Sequence, residues 1–449
     1  MAARHKVLIL GGGFGGLVAA QTLKRAPVNV TLIDRRNFHL FQPLMYQVAT
    51  GSLSPGDIAA PLRGVLSKQK NTQVLLGEAV DIDPQAKQVT LRDGGVFPYD
   101  SLIVATGSQT SYYGKEGWRE WAPSLKSIEE ATDIRHKILY AFEEAERAGT
   151  PEEVRAWLTF VIVGAGATGM ELAGALAEIA NETLKNDFRH INPRHARILL
   201  VEGGPRVLPA YPETLSAKAE KLVTKLGVEV VKGVMVTDIN GDGVTFNRGD
   251  RSESLAAKTV LWAGGIITTA FGKRLAERTS SETDKTGRIT VKPDLTVPNY
   301  PDIWIVGDLA HANEDGKPLP GVAQVAIQGG AYAAKAIRTR VAGKGLVKPF
   351  HYFNKGDMAV IGRAAAVANI FGLQISGLLA WLIWLFVHLI YIVEFQSRVM
   401  VFIQWGFEYL TFSRGARLIT GSTASDILGP VKRRSSAATA AGDRGEGKG

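Results

Sequence analysis

The feature that most constrains the fold is a glycine-rich turn near the start of the chain. An apolar run over residues 7–10 breaks at Gly11, and small and apolar residues resume after Gly16. This pattern is typical of a buried parallel strand, a tight turn and the beginning of a helix. Gly11 allows the turn, Gly13 lets the backbone approach a pyrophosphate, and Gly16 lets the helix lie close to the strand.

A carboxylate follows at the spacing that a dinucleotide site requires. A second apolar run, over residues 30–33, ends at Asp34. That position is near the offset of about 20 residues expected for an acid that hydrogen-bonds a ribose. The amino end of the intervening helix offers free N–H groups and a partial positive charge to the phosphates. The sequence therefore predicts a dinucleotide site here.

A second copy of the same pattern follows later in the chain. Residues 158–163 lead into the turn Gly164-Ala165-Gly166-Ala167-Thr168-Gly169, and the apolar run over residues 198–201 ends at Glu202. Glu202 comes 38 residues after the first glycine of its turn, farther than in the first copy. We attribute the difference to a long helix and an intervening loop over residues 186–196.

Both copies also close in the same way, with an apolar strand that runs into small residues. The first copy spans 96 residues from its first glycine to Gly107, and the second spans 100 residues to Gly264. These spacings indicate the duplication of a whole nucleotide-binding unit rather than a short-period repeat. Because electrons must pass between two different carriers, we expect one copy to bind a flavin and the other a nicotinamide.

A later segment supports the flavin assignment for the first copy. The apolar strand over residues 302–306 ends in Gly307-Asp308, which places a carboxylate at the carboxyl edge of the sheet, near a flavin's ribityl chain. The segment over residues 319–329 opens another helix, whose amino end would stabilise the anion of a reduced flavin ring. The alternative for Asp308 is an aspartate that caps a turn.

Composition excludes several classes of chemistry. The chain has 449 residues, which predicts two or three domains, and it contains no cysteine. Disulfides, thiolate metal sites, iron–sulfur clusters and thiol redox catalysis are therefore excluded. The formal net charge of +9 suits anionic lipid as well as nucleic acid, but no nucleic-acid-binding signature is present. The amino terminus shows no secretory signal, so we expect the dinucleotide units in the cytoplasm.

The composition turns apolar after about residue 350. Residues 372–393 are long enough for a transmembrane helix, but they could instead lie in the membrane interface or form a soluble core helix. A second apolar stretch over residues 398–414 carries one polar stripe. The stripe consists of Gln404, Glu408 and Thr411. In the interfacial alternative, four aromatic residues would lie at headgroup depth: Trp381, Trp384, Trp405 and Tyr409.

Taken together, the motifs RRNFHLFQPLMYQVATG, GATGMELAG, VEGGPRVLP, AQVAIQGG and AWLIWLFVHL resemble those of the type II NADH dehydrogenases, over residues 5–420. The resemblance implies an α/β fold with two tandem Rossmann-like domains, as in pyridine nucleotide-disulfide reductases, and a C-terminal helical membrane-anchoring region that does not cross the bilayer. It divides the chain into an FAD-binding domain (1–114 and 271–345), an NADH-binding domain (115–270), a membrane-associating region (346–430) and a disordered tail (431–449). The basic cluster Lys432-Arg433-Arg434 in that tail could contact anionic lipid.

The resemblance also assigns the nucleotide-binding residues. For one non-covalent FAD they are Gly11, Gly12, Gly13, Phe14, Gly15, Gly16, Asp34, Arg35, Thr106, Gly107, Asp308, Ala323 and Gln324. For NADH as substrate they are Gly164, Gly166, Ala167, Thr168, Gly169, Glu171, Glu202 and Gly264. Glu202 favours NADH over NADPH because it would repel a 2′-phosphate, although Arg206 lies nearby in sequence. Many family members have Glu where this chain has Asp34.

The resemblance further implies three catalytic residues, Glu171, Gln324 and Gln328. Glu171 would lie by the nicotinamide and the flavin, but its alternative is an acid favoured by the helix dipole. Quinone contacts are expected at Tyr46, Gln47, Gln324, Gln328 and His388. His388 is otherwise a packing residue. We expect no metal site.

The predicted function is oxidation of NADH through FAD and two-electron reduction of a membrane quinone, menaquinone or ubiquinone, without proton pumping. The resemblance implies a homodimer bound peripherally to the cell inner membrane on its cytoplasmic side, and nucleic acid is not an expected partner. Two alternatives are a soluble NADH-dependent flavoprotein that reduces an electron-carrier protein and a nucleotide-binding redox sensor. Disulfide reductases and sulfide:quinone oxidoreductases are disfavoured, because they use redox cysteines.

Overall fold

A six-stranded sheet carries the amino-terminal glycine-rich turn. The computed structural model of the chain describes residues 4–249, 251–345 and 347–419. Its elements up to residue 114 are β1 (His5–Leu10), α1 (Phe14–Thr22), β2 (Val28–Asp34), β3 (Phe38–Leu40), α2 (Met45–Ala49), α3 (Pro55–Ile58), β4 (Ala59–Pro61), α4 (Leu62–Leu66), β5 (Thr72–Leu76), β6 (Ala79–Asp83), β7 (Gln88–Leu91), β8 (Val96–Pro98), β9 (Ser101–Val104) and β10 (Ser108–Thr110).

The next segment builds a second parallel sheet around the second turn. Its elements are α5 (Ile128–Arg147), α6 (Pro151–Trp157), β11 (Thr159–Val163), α7 (Ala167–Glu178), β12 (Arg197–Glu202), α8 (Glu213–Lys225), β13 (Val228–Lys232), β14 (Met235–Asn240), β15 (Gly243–Arg248), β16 (Arg251–Ala256), β17 (Thr259–Trp262) and β18 (Ile266–Thr268). The sheet has the order β13-β12-β11-β17. Every residue of β11 is buried, as expected for a strand covered on both faces.

The chain then returns to the first sheet. This segment contains α9 (Ala270–Thr279), β19 (Ile289–Thr290), β20 (Thr296–Val297), β21 (Tyr300–Ile305), β22 (Ala310–His311), β23 (Asn313–Glu314), β24 (Lys317–Pro318) and α10 (Ala323–Val341). The first sheet has the order β20-β21-β9-β1-β2-β5, with β21 parallel to β9. The return is made through β10 and β18, which pair antiparallel at the junction of the two units.

The C-terminal segment is a three-stranded sheet followed by two helices. It contains β25 (Asp357–Gly362), β26 (Ala365–Ile370), β27 (Leu373–Gly377), α11 (Leu378–Tyr391) and α12 (Phe395–Thr411). β25 packs directly on α7, where a Cβ on Gly174 would lie 1.6 Å from the carbonyl oxygen of Ile361. The third domain is thereby attached to the second nucleotide-binding unit.

The structure corrects the expectation of one long apolar helix over residues 372–393. Residues 373–377 belong to β27, and Gly377, with φ +81°, separates that strand from the 14 residues of α11. A two-residue turn at Phe371-Gly372, both with positive φ, makes the preceding hairpin. Within the three described ranges, no helix is long and apolar enough to cross a membrane. The predicted tail over residues 431–449, with its basic cluster, lies outside the described residues.

Residues 35–63, which follow Asp34, form several short elements rather than one crossover helix. β3 and β4 pair antiparallel, and α2 packs into the main core, where Leu44, Met45 and Val48 are buried. This segment contributes the side chains of Tyr46 and Gln47 to the interior.

Candidate active site

The first glycine-rich turn forms a cradle at the end of β1. Gly11 has φ +100°, and a Cβ there would lie 2.3 Å from the carbonyl oxygen of Ala105. A Cβ on Gly16 would lie 1.8 Å from the carbonyl oxygen of Gly11, so helix and strand approach as predicted. Gly13 faces open space, and as the N-cap of α1 it provides no side-chain hydrogen bond to the helix. The helix end is therefore available to an anion.

Asp34 is fixed beside this turn. Its Oδ2 accepts a hydrogen bond from the backbone N–H of Gly12 at 2.6 Å, and its Oδ1 accepts one from Arg36 at 2.7 Å. Burial raises the pKa of the Asp34 carboxyl above its usual value, against the opposing effect of these N–H groups and of the Arg35 and Arg36 charges. The acid thus bridges the turn and the end of β2.

The second turn repeats this geometry. Gly164 has φ +103°, and a Cβ on Gly169 would lie 1.8 Å from the carbonyl oxygen of Gly164. Gly166 faces open space at the N-cap of α7. Glu202 accepts hydrogen bonds from the N–H of Ala165 at 2.7 Å and of Gly204 at 2.8 Å. The duplication inferred from the sequence therefore extends to the hydrogen bonds of the two acids.

Asp308 and Thr106 lie at the edge of the first sheet, next to the first glycine-rich turn. Asp308 lies in a 3₁₀ turn (Gly307–Leu309) after β21 and accepts a hydrogen bond from the Ser108 hydroxyl at 2.8 Å, with Lys126 Nζ 3.9 Å away. Thr106 lies next to this edge, its hydroxyl 3.3 Å from that of Thr269.

The amino-terminal halves of α1 and α10 come together on this side of the sheet. A Cβ on Gly330 would lie 2.1 Å from the carbonyl oxygen of Gly15, so the two helices touch through their backbones. Ala323 and Gln324 begin α10. This contact brings the amino end of a second helix to the edge that carries Asp308.

A cleft of about 740 Å³, counting the part open to solvent, lies among the segment of residues 35–63, α7, the C-terminal sheet and the two last helices. Its polar lining residues are Tyr46, Gln47, Ser52, Glu171, Glu178, Thr183, Arg363, Glu408, Tyr409 and Arg414. Its aromatic walls are Trp381, Trp384, Trp405 and Phe412. A concave site with apolar walls and a few convergent polar groups is the usual form of a small-molecule site.

Glu171 lies on α7, one turn beyond the second glycine-rich turn. Burial raises the pKa of its carboxyl well above the usual value, and only a backbone hydrogen bond with Val360 opposes this effect. Burial also raises the pKa of the Tyr46 phenol, with a further contribution from Glu171. Burial therefore favours the protonated form of both groups.

Gln47 ties this pair to the C-terminal helices. Its Nε2 donates to the hydroxyl of Tyr46 at 2.9 Å, and its Oε1 accepts from Trp405 Nε1 at 2.7 Å. Tyr46 and Gln47 are thus placed with Glu171 in one cleft.

The other predicted quinone-contacting residues lie elsewhere. Gln328 exchanges two hydrogen bonds of 3.0 Å with the backbone of Phe353, and Gln324 is a hydrogen-bond partner of Tyr391. Neither glutamine is among the residues that line the cleft. Among the described residues, Oε1 of Gln324 is buried without a hydrogen-bond partner.

His388 is packed behind the cleft wall. Its Nδ1–H donates to the carbonyl oxygen of Trp384 at 2.8 Å, and its ring stacks on that indole at 4.2 Å. Burial lowers its pKa to about 4, so the imidazole is neutral at pH 7. Trp384 itself is 1% exposed, and the expectation that it lies at headgroup depth is wrong, because it is enclosed between α11 and the core.

Sequence analysis missed the charged residues that close the cleft. Arg414 donates to Glu178 at 3.0 Å and to the carbonyl oxygen of Thr50 at 3.1 Å. The Arg363 guanidinium lies over the rings of Tyr409 and Phe412. The sequence signal that could have found them is a charged residue beside apolar segments. Burying such a charge costs free energy unless it is paired or has a function.

The outer faces of α11 and α12 are apolar and exposed. Phe386 and Leu410 are 66% and 79% exposed. Further exposed apolar residues of the two helices are Leu378, Leu379, Leu382, Ile390, Phe395, Val399, Met400, Phe402, Ile403 and Phe407. Exposed apolar surface on this scale is typical of an interaction surface.

Known proteins resemble the chain over most of its length. Residues 5–330 match the family described as pyridine nucleotide-disulphide oxidoreductase, and residues 354–414 match the NDH2 C-terminal domain. The chain is 45% identical over 427 residues to the type II NADH:quinone oxidoreductase Ndh of Mycobacterium tuberculosis, covering 94% of this chain and 91% of that protein. It is 44% identical to NdhA of the same organism, covering 99% and 96%. The solved structure of NDH2 from Plasmodium falciparum with NADH has a TM-score of 0.82 at 20% identity, covering 93% of this chain and 100% of that one, which shows a shared fold.

Proposed function

The chain belongs to the family of type II NADH:quinone oxidoreductases, and on this premise we propose that it oxidises NADH through a bound FAD and passes two electrons to a membrane quinone without pumping protons. The observation that carries the proposal is the position of the cleft. It is lined by Tyr46 from the first nucleotide-binding unit, Glu171 from the second and Trp405 from the C-terminal helices. An apolar electron acceptor in this cleft would therefore lie next to both nucleotide-binding units.

We assign FAD to the first cradle, within a domain formed by residues 1–114 and 271–345. The open space at Gly13 and the uncapped amino end of α1 suit a pyrophosphate, and Asp34 suits a ribose. Asp308, at the edge reached by α10, suits the ribityl chain. The remaining residues of this assignment are Gly11, Gly12, Phe14, Gly15, Gly16, Arg35, Thr106, Gly107, Ala323 and Gln324. When bound, the flavin supplies hydride acceptance and electron transfer, which no side chain of this chain can perform.

We assign NADH to the second cradle, within residues 115–270. The turn suits a pyrophosphate in the same way as the first, because Gly166 faces open space at an uncapped helix end. Glu202 would accept from the ribose hydroxyls and repel a 2′-phosphate, which supports NADH over NADPH. The other assigned residues are Gly164, Ala167, Thr168, Gly169, Glu171 and Gly264. Glu171 follows this turn on α7 and also lines the cleft, so it lies where the two substrates would approach each other.

The membrane contact is assigned to residues 346–430, through the exposed apolar faces of α11 and α12. These helices line the cleft on their inner sides, so a quinone dissolved in lipid would enter between them. We place the protein on the cytoplasmic face of the cell inner membrane as a peripheral homodimer. Menaquinone and ubiquinone both suit an aromatic cleft of this kind.

The proposal is tested with the absorbance spectrum of the detergent-purified protein. Flavin bands should be present, bleach when NADH is added and return when a quinone is added. Acid denaturation should release FAD into solution, because we assign it as a non-covalently bound cofactor. The protein should also co-sediment with vesicles of anionic lipid. Protein that contains no flavin after incubation with FAD, or that stays bleached in the presence of quinone, contradicts the proposal.

A further inference from the structure

Glu408 is a third carboxylic acid in the lining of the cleft, besides Glu171 and Glu178. It lies on α12 and lines the cleft opposite Glu171 of α7. Its Oε1 is buried without a hydrogen-bond partner among the described residues, while Ser52 is a hydrogen-bond partner of the carboxyl group. A buried acid with an unengaged oxygen costs stability, so its retention in the cleft calls for a functional explanation.

The reaction requires one proton from outside. NADH, a quinone and one proton give NAD⁺ and a quinol, so NADH supplies both electrons and one hydrogen, and the second hydrogen comes from solution. The cleft is walled by Trp381, Trp384 and Trp405 and by Phe412. A side chain that reaches the cleft and exchanges protons with water at its open side can supply this proton.

Three other groups are less suited to this role. Burial raises the pKa of Glu171 and of Tyr46 well above their usual values, which favours the protonated form of each. His388 has the opposite property, because burial lowers its pKa to about 4 and leaves it neutral. It also does not line the cleft.

The surroundings of Glu408 stabilise both of its forms. Burial raises its pKa to about 7, while the Arg414 charge and Ser52 favour the carboxylate and the Glu178 charge disfavours it. Arg414 is itself paired with Glu178, and Arg363 is stacked on aromatic rings, so neither cation makes a direct ion pair with Glu408. An acid whose protonated and charged forms are both accessible near pH 7 is suited to general acid catalysis.

We propose that Glu408 delivers to the quinone the one proton that the reaction takes from solution. The proton leaves the carboxyl group for a quinone oxygen while the two electrons from NADH reach the ring. The carboxylate that remains is then reprotonated from water at the open side of the cleft. This inference rests on the proposed function, because it requires that quinone is reduced in this cleft.

The test compares two electron acceptors in the full-length protein. Glu408→Gln keeps the shape of the side chain and removes its proton. With a short-chain quinone, its kcat at pH 7 should fall at least about tenfold, as expected when a general acid is lost. With ferricyanide, which accepts electrons without protons, its rate should match that of the wild type. The decline of the wild-type quinone rate as pH rises through about 7 should be absent in the variant.

Two further variants make the result decisive. Glu408→Asp retains an acid and should recover part of the quinone rate together with its pH dependence. Glu394→Gln removes the same charge at the amino end of α12, outside the cleft, and should behave like the wild type. A wild-type quinone rate and pH profile in Glu408→Gln overturns the inference, and so does an equal loss with both acceptors. Failure of the proposed function is distinguishable, because the wild type would then not reduce quinone.

Discussion

The indole Nε1 of Trp405 donates a 2.7 Å hydrogen bond to Oε1 of Gln47, a residue 358 positions earlier in the chain. Trp405 belongs to α12 and Gln47 to α2, so this one bond joins the C-terminal helices to the nucleotide-binding part of the protein. Gln47 in turn donates to the Tyr46 hydroxyl. Together with the hydrogen bond from Arg414 to Thr50, this contact holds the walls of the cleft in position.

Replacement of Trp405 by phenylalanine should destabilise the protein by about 1–3 kcal/mol, because the buried Oε1 of Gln47 loses its donor. The KM for quinone should rise at the same time, since Tyr46 loses its positioning. Chemical unfolding and steady-state kinetics measure the two effects. Trp157→Phe, on α6 and away from the cleft, serves as the matched control. Equal effects of the two substitutions on KM would disprove the link.

Two glycines of the second turn should respond differently to alanine. In Gly169→Ala the new Cβ would lie 1.8 Å from the carbonyl oxygen of Gly164, so the turn must open and thermal stability should fall. In Gly166→Ala the Cβ enters open space, so stability should be unchanged while the KM for NADH rises. Thermal melting and NADH titration distinguish the two. An unchanged KM in Gly166→Ala argues against a nucleotide at this turn.

The Arg414–Glu178 pair should contribute strongly to stability. Both side chains are largely buried, at 8% and 20% exposed, and Arg414→Met leaves the Glu178 carboxylate without its ion-pair partner. The expected loss is about 3 kcal/mol or more in the free energy of unfolding. Arg417→Met is the control, because the Arg417–Asp187 bridge is more exposed and should contribute less than about 1 kcal/mol. Similar losses for the two variants would contradict this ranking.

Acid should destabilise the protein through His388. Its pKa in the folded protein is about 4, below the unfolded value of 6.5, so the unfolded chain binds this proton first as the pH falls. Stability is therefore fully present above pH 6.5 and is lost between about pH 6.5 and 4, by up to roughly 3 kcal/mol. In His388→Phe this part of the pH dependence should disappear. If the free energy of unfolding of His388→Phe keeps the wild-type pH dependence, His388 is not the cause of that dependence.

Short sequence patterns were sufficient for the nucleotide-binding units. Turns at Gly11 and Gly164 and strand-end acids at Asp34 and Glu202 are local features, because each depends on backbone geometry and on residues a few positions away. Their arrangement in the structure is the one predicted. The same holds for β21, whose apolar run ends in the turn that carries Asp308.

The apolar C-terminal region was ambiguous for a physical reason. A continuous run of apolar residues carries no period, so it does not distinguish a helix from a buried hairpin followed by a helix. The positive φ at Phe371 makes the hairpin turn, and that at Gly377 separates β27 from α11. A phenylalanine in that conformation has no sequence signature. The inner and outer faces of α11 and α12 likewise depend on what packs against them.

The sequence by itself determined two nucleotide-binding turns, the acid that accompanies each and the presence of an apolar C-terminal region. Only the tertiary structure decided which side chains share the cleft. Tyr46, Glu171 and Glu408 come from helices far apart in the chain, and their association depends on packing between three regions rather than on any local pattern. The same packing buries all three groups, and this burial raises the pKa of each.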